Sequence, residues 1–139
     1  MTAARAIRGR GIVHGTAAGP ALVSHTPLNF LGDLDIRTGM VVADSSDVAG
    51  RSVAGTVLFI PISVGSAGAW RFLYQLGVHG TKPVAIITMG LPDSSLVQGA
   101  ILAKVPIVCE PEEDVLETIA TGDRVEVDGT AGLLRVGPA

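Results

Sequence analysis

Apolar and polar positions along the 139-residue chain fall into a sequence of short blocks. Gly11 to Ser24 (GIVHGTAAGPALVS) is β-like in pieces, punctuated by Gly15 and Gly19. Residues 26–50 (TPLNFLGDLDIRTGMVVADSSDVAG) mix apolar residues with turn formers, which predicts a long loop ending in a short strand at Met40–Val42. VAGTVLFIP is continuously apolar and β-branched, the pattern of a strand buried on both faces. After the small residues of SVGSAG, positions 67–77 place Trp70, Leu73 and Leu76 at helical spacing. The alternation then repeats. PVAIITM (83–89) predicts a second buried strand, SSLVQGAILAKV (94–105) a second helix with Ser or Asp to cap it, and PIVCE (106–110) a third strand. EEDVLETIATG fits a short helix stopped by Gly122, and DRVEVDGTAGLLRV a hairpin turning near Asp128-Gly129. Two strand–helix alternations with short links predict a parallel sheet with crossover helices. The fold class is therefore α/β: a small parallel αβ core flanked by antiparallel strands, in a single domain spanning residues 1–139.

Composition narrows the functional classes. Charged residues make up only 17% and apolar residues 47%, which suggests a surface covered by a partner. A net charge of −3 with scattered Lys and Arg argues against nucleic-acid binding. Mean hydropathy is +0.49, yet the longest apolar stretch is broken by Gly55 and Pro61, so no membrane-spanning segment is expected. The N-terminal MTAARAIRGRG lacks an apolar core, so a cytoplasmic protein is expected. The single Cys109 precludes an internal disulfide and cannot alone hold an iron–sulfur cluster. His14, His25 and His79 are too dispersed for a metal site, and Asp33, Asp35, Asp44 and Asp47 suit turns. Ser24 and His25 are adjacent in an extended segment, where neighbours face opposite ways, so they are not a nucleophile–base pair.

The break at Ser63-Val64-Gly65-Ser66 is the chief candidate site. A turn from a buried strand into a helix presents free N–H groups and the positive end of the helix dipole. Small residues there let an anionic ligand approach the backbone, with the Ser66 hydroxyl beside it. Two readings stay open on these residues: Ser63 or Ser66 as the N-cap of the helix, or Ser66 as a base whose alkoxide the N–H donors stabilise.

GRGIVHGTAAGPALVS, TPLNFLGDLD, DVAGRSVAGTVLFIP, GSAGAWRFLYQL and PVAIIT…GAILAKVPIV, in that order, resemble the small subunit of aconitase X enzymes over roughly residues 9–136. The resemblance implies a swivelling β/β/α domain like the C-terminal domain of aconitase. It implies a partner, an aconitase-like large subunit that carries an iron or iron–sulfur centre through its own cysteines, leaving no cofactor on this chain. It also implies Ser66 as the catalytic base, with Ser63, Gly65 and Gly68 around the substrate, a small hydroxy acid or imino acid. Asn29, Phe30, Gly32 and Asp33 are further candidates to line that cleft. Members that dehydrate phosphomevalonate commonly carry a basic residue just before the Gly-Ser. Here that position is Val64, which favours cis-3-hydroxy-L-proline as substrate and Δ1-pyrroline-2-carboxylate as product, with (R)-5-phosphomevalonate the alternative. Outside the family, the closing hairpin also resembles a phosphohistidine-type swivelling carrier. His25 lacks the preceding Gly-Gly, and Pro27 interrupts the helix that such a carrier needs. A non-catalytic interaction module, with Ser66 only a cap, is the remaining reading.

Overall fold

The protein is described by a computed structural model over residues 5–62 and 67–138. Its strands are β1 (Arg5–Arg8), β2 (Arg10–Val13), β3 (Thr16–Val23), β4 (Val57–Ile60), β5 (Ala85–Thr88), β6 (Ile107–Cys109), β7 (Arg124–Asp128) and β8 (Leu133–Gly137). Its helices are α1 (Ala69–Val78), α2 (Ser94–Ala103) and α3 (Val115–Thr118).

The strand order is β1-β8-β7-β3-β4-β5-β6-β2. β3 to β6 run parallel, while β7, β8, β1 and β2 add antiparallel pairs. β1 and β2, at opposite ends of this order, are joined by Gly9 alone, so the sheet closes on itself. Closure brings backbones together too tightly for side chains. A Cβ on Gly9 would lie 2.9 Å from the Cys109 carbonyl oxygen, and one on Gly11 would collide with the Gly129 carbonyl. The Gly9 N–H donates to the Gly132 carbonyl at 2.8 Å, stitching the seam to the β7–β8 turn.

Strand alternation divides the core between the two faces. Val23, Phe59, Ile87 and Val108 form one row across the parallel strands and, with Ile7, Val125, Val127, Leu134 and Val136, fill the inside of the closed sheet. Val115 and Ile119, at the two ends of α3, pack into the same cluster. The alternate row, Leu22, Leu58, Ile86 and Ile107, faces outward onto Leu73 and Leu76 of α1 and Leu96 and Ala100 of α2. Burial on both faces is why VLFI and AIIT read as unbroken apolar runs.

Most predicted elements are present, with shifts that have local causes. Met40–Val42 forms no strand; only isolated bridges occur there, Leu34 to Val41 and Met40 to Ser52, because the segment folds onto its own loop rather than a sheet edge. That loop still contributes to the core through Leu28, Phe30, Leu34, Val41, Val48 and Val53. α3 ends at Thr118, well before Gly122, because the β-branched Ile119 turns extended (φ −111°, ψ 133°) to bury its side chain. β1 lies in an Arg-containing stretch without a clear β pattern. It pairs with β8, and Arg5 donates from Nη1 to both Glu113 carboxylate oxygens, at 2.8 and 3.0 Å, and from Nη2 to the Thr118 carbonyl at 3.1 Å.

Candidate functional site

The carboxyl ends of the parallel strands converge on one edge, the usual place for a ligand in such sheets. β4 leads through Pro61 and Ile62 toward the candidate tip. Ser63, Val64, Gly65 and Ser66 lie outside the described residues. The chain is described again from Ala67, and α1 begins two residues later.

Gly68 is the residue predicted at the site that the structure does place. It is the N-cap of α1 (φ −94°, ψ −2°), so the cap position falls on neither Ser63 nor Ser66. Gly68 has no side chain to cap with, and a Cβ built on it would meet no atom of the described residues within 4 Å. No acidic residue occupies the first turn of α1; Arg71 does, with its guanidinium 5.6 Å from the Trp70 ring centroid. A cation at a helix N-terminus adds to the positive dipole end instead of cancelling it, which disfavours the isolated helix and suits an anion.

Ser95 of α2 reaches across to this turn. Its hydroxyl accepts from the Trp70 N–H at 3.0 Å and lies 3.4 Å from the Ala67 carbonyl oxygen. Ser95 looks in sequence like a cap of its own helix; that part belongs to Asp93, whose carboxylate accepts from the Leu96 N–H at 3.2 Å. The β4 and β5 tips are tied by the Met89 N–H donating to the Ile60 and Pro61 carbonyls and by Gly90 N–H to Pro61. Ile62 and Leu91 stand exposed just beyond the carboxyl ends of β4 and β5.

Of the 29–33 loop candidates, Phe30 is only 1% exposed and belongs to the core, not to a cleft wall. Asn29 and Asp33 are engaged in their own turn: Asn29 Oδ1 accepts from Leu31 N–H, and Asp33 Oδ2 accepts from Asn29 N–H.

Just past Val23, the last residue of β3, Ser24 and His25 do not face opposite ways as strand alternation predicts; both turn to the Asp47 carboxylate, each to a different oxygen. Ser24 Oγ turns to the Thr26 carbonyl and Asp47. His25 Nδ1 meets Asp47 Oδ2, and its Nε2 meets the Leu116 carbonyl. The hydrogen bond to Asp47, then that to Leu116, raises the His25 pKa above its ordinary 6.5. For Asp47, partial burial pushes upward, but hydrogen bonds from the His25 N–H and ring, Ser24 and Thr26 together hold it below 3.8. Cys109 is buried, and that burial, followed by the charge of Glu110, raises its thiol pKa. It packs as a small hydrophobe. Among the described residues no three His, Cys, Asp or Glu side chains are grouped to hold a metal ion, and Cys109 does not fit a cluster ligand. No helix among them is long and apolar enough to cross a membrane.

Residues 6–136 match the family model of the aconitase X swivel domain. The phosphomevalonate dehydratase small subunit of Methanocella arvoryzae is 40% identical over 130 residues, covering 94% of this chain and 98% of that one. That of Methanothermobacter thermautotrophicus is 39% identical over 126 residues, covering 91% and 95%. The crystal structure of Thermococcus kodakaraensis aconitase X in its holo form superposes with a TM-score of 0.89 at 34% identity, covering 96% of this chain and 98% of that chain.

Proposed function

The chain belongs to the aconitase X swivel-domain family, and on that premise we propose that it is the small subunit of a heteromeric dehydratase in which Ser66 is the base. The observation that carries the proposal is the near full-length similarity to phosphomevalonate dehydratase small subunits. The same similarity makes (R)-5-phosphomevalonate the favoured substrate, ahead of cis-3-hydroxy-L-proline, the substrate that Val64 had suggested. The first turn of α1 supports an anionic substrate of either kind, through the side-chain-free Gly68 and Arg71.

In this reading the deprotonated Ser66 oxygen removes the proton on the carbon next to the substrate carboxylate. The hydroxyl on the neighbouring carbon departs with its bonding pair as a carbon–carbon double bond forms between them, and the proton taken up by Ser66 balances it as water. A serine hydroxyl is an intrinsically weak base, so its alkoxide needs stabilisation. The N-terminal dipole of α1 supplies part of it, and a closed, water-poor interface with the large subunit the rest. The iron or iron–sulfur centre that the resemblance implies would be held by the large subunit, where it would help the substrate hydroxyl to leave. The proposed setting is the cytoplasm.

Val64 in place of a basic residue is the observation that keeps cis-3-hydroxy-L-proline as a second reading, since phosphate recognition usually recruits Lys or Arg. Co-expression with the large subunit, followed by assays on both compounds, separates them. Turnover of (R)-5-phosphomevalonate is expected. Turnover of cis-3-hydroxy-L-proline alone would select the second reading, and turnover of neither would overturn both.

A further inference from the structure

We infer that Ser95 is a positioning residue for the start of α1 and, through it, for Ser66, an inference that rests on the proposed role of Ser66 as base. A helix start leaves its first N–H groups without intrahelical partners, and a side chain at the N-cap normally takes one of them. Gly68 has no such side chain and no rotamer to hold its own backbone in one direction. The missing acceptor comes from the neighbouring helix. Ser95 Oγ accepts from the Trp70 N–H at 3.0 Å and faces the Ala67 carbonyl oxygen at 3.4 Å, so one hydroxyl grips the chain on both sides of Gly68. Ala67 is bonded directly to Ser66.

The grip is rigid at its base. Ser95 is 8% exposed, on the second residue of α2, and Asp93 caps that helix. One turn further, Gly99 lets the two helices close: a Cβ there would lie 2.9 Å from Trp70 Cα and 3.0 Å from the Trp70 carbonyl oxygen. α2 thus fixes both the height and the direction of the first turn of α1. A base that works only when donors surround its oxygen is sensitive to displacements of this turn by fractions of an ångström.

The test uses the complex of this chain with its large subunit, carrying Ser95→Ala, Ser95→Thr, Ser95→Cys or Ser66→Ala in turn. Asp114→Ala, which uncaps the distant α3, serves as a control for stability loss. Ser95→Ala is expected to lower kcat at least tenfold with KM within twofold, and to move the ascending limb of the kcat–pH profile to higher pH as the alkoxide loses stabilisation. Ser95→Thr, which keeps the hydroxyl, should restore most of kcat. Asp114→Ala should lose Tm without losing kcat. If Ser95→Ala fails to assemble, Ser95→Cys keeps the volume with a weaker acceptor and should show the same kcat loss. Wild-type kcat in a folded Ser95→Ala or Ser95→Cys complex, with Ser66→Ala inactive, would overturn this inference alone. A fully active Ser66→Ala would instead overturn the reading on which it stands.

Discussion

His25 Nδ1 lies 3.1 Å from Asp47 Oδ2 while its Nε2 lies 2.9 Å from the Leu116 carbonyl oxygen. Both partners are acceptors, so both ring nitrogens donate only when the imidazole is protonated. The ring therefore links the end of β3, the loop carrying Asp47 and α3 as an imidazolium. Its raised pKa sets the sign of the pH effect. The contribution is fully present below the unfolded value of 6.5 and is lost as pH rises through the folded value. The Asp47 carboxylate contributes in the opposite sense, above 3.8, and that part fades as pH falls through its lowered folded value. NMR titration of the His25 ring should give a midpoint above 6.5, and Asp47→Asn should bring it down. An unchanged midpoint in Asp47→Asn would refute the linkage.

Gly99→Ala pits propensity against space. In an open helix the change stabilises by about 1 kcal/mol. Here the new methyl meets the Trp70 backbone at 2.9 Å and Leu73 Cβ at 3.2 Å, so α1 and α2 must separate. A net loss of about 1–3 kcal/mol is expected in denaturant unfolding. Gly137→Ala, with nothing within 4 Å of its Cβ, should be near neutral.

Gly68→Ala separates structure from ligand approach. Its φ of −94° suits any residue and its Cβ would meet no atom of the described residues within 4 Å, so the stability cost should stay below about 1 kcal/mol. A more than tenfold fall in kcat/KM of the assembled complex is expected, because the methyl occupies the space a substrate needs. Unchanged kinetics would remove Gly68 from the substrate's surroundings.

Phe59 sits on the interior row of β4 and is fully buried. Phe59→Ala should cost about 3–5 kcal/mol in denaturant unfolding, since a closed sheet relaxes little around a void.

Much of this architecture is legible in the sequence, because VLFI, AIIT and IVC carry the continuous apolarity of strands with two buried faces. The hairpin at Asp128-Gly129 is legible too: Asp128 Oδ1 accepts from the N–H groups of Thr130 and Ala131, a local interaction written in adjacent residues. The closure of the sheet is not, since Gly9 and Gly11 look like ordinary loop glycines until β6 and the β7–β8 turn come beside them. The parts of the site that sequence reasoning misses are likewise non-local. Ser95 reads as a cap of α2, and only the packing of two helices 25 residues apart turns its hydroxyl toward Trp70. Arg71 carried a faint signal, a basic residue in the first turn of a helix, where acidic ones are favoured. His25 and Asp47 meet across 22 residues of irregular loop, a juxtaposition that no periodicity announces.

The most direct test of the central claim is the turnover number of the two-subunit complex carrying Ser66→Ala, measured on (R)-5-phosphomevalonate beside the wild type. Loss of a positioned base should lower kcat by about 10²–10⁴-fold while the two subunits still co-purify. A Ser66→Ala complex that dehydrates its substrate at the wild-type rate would contradict it, and the base would have to be sought elsewhere.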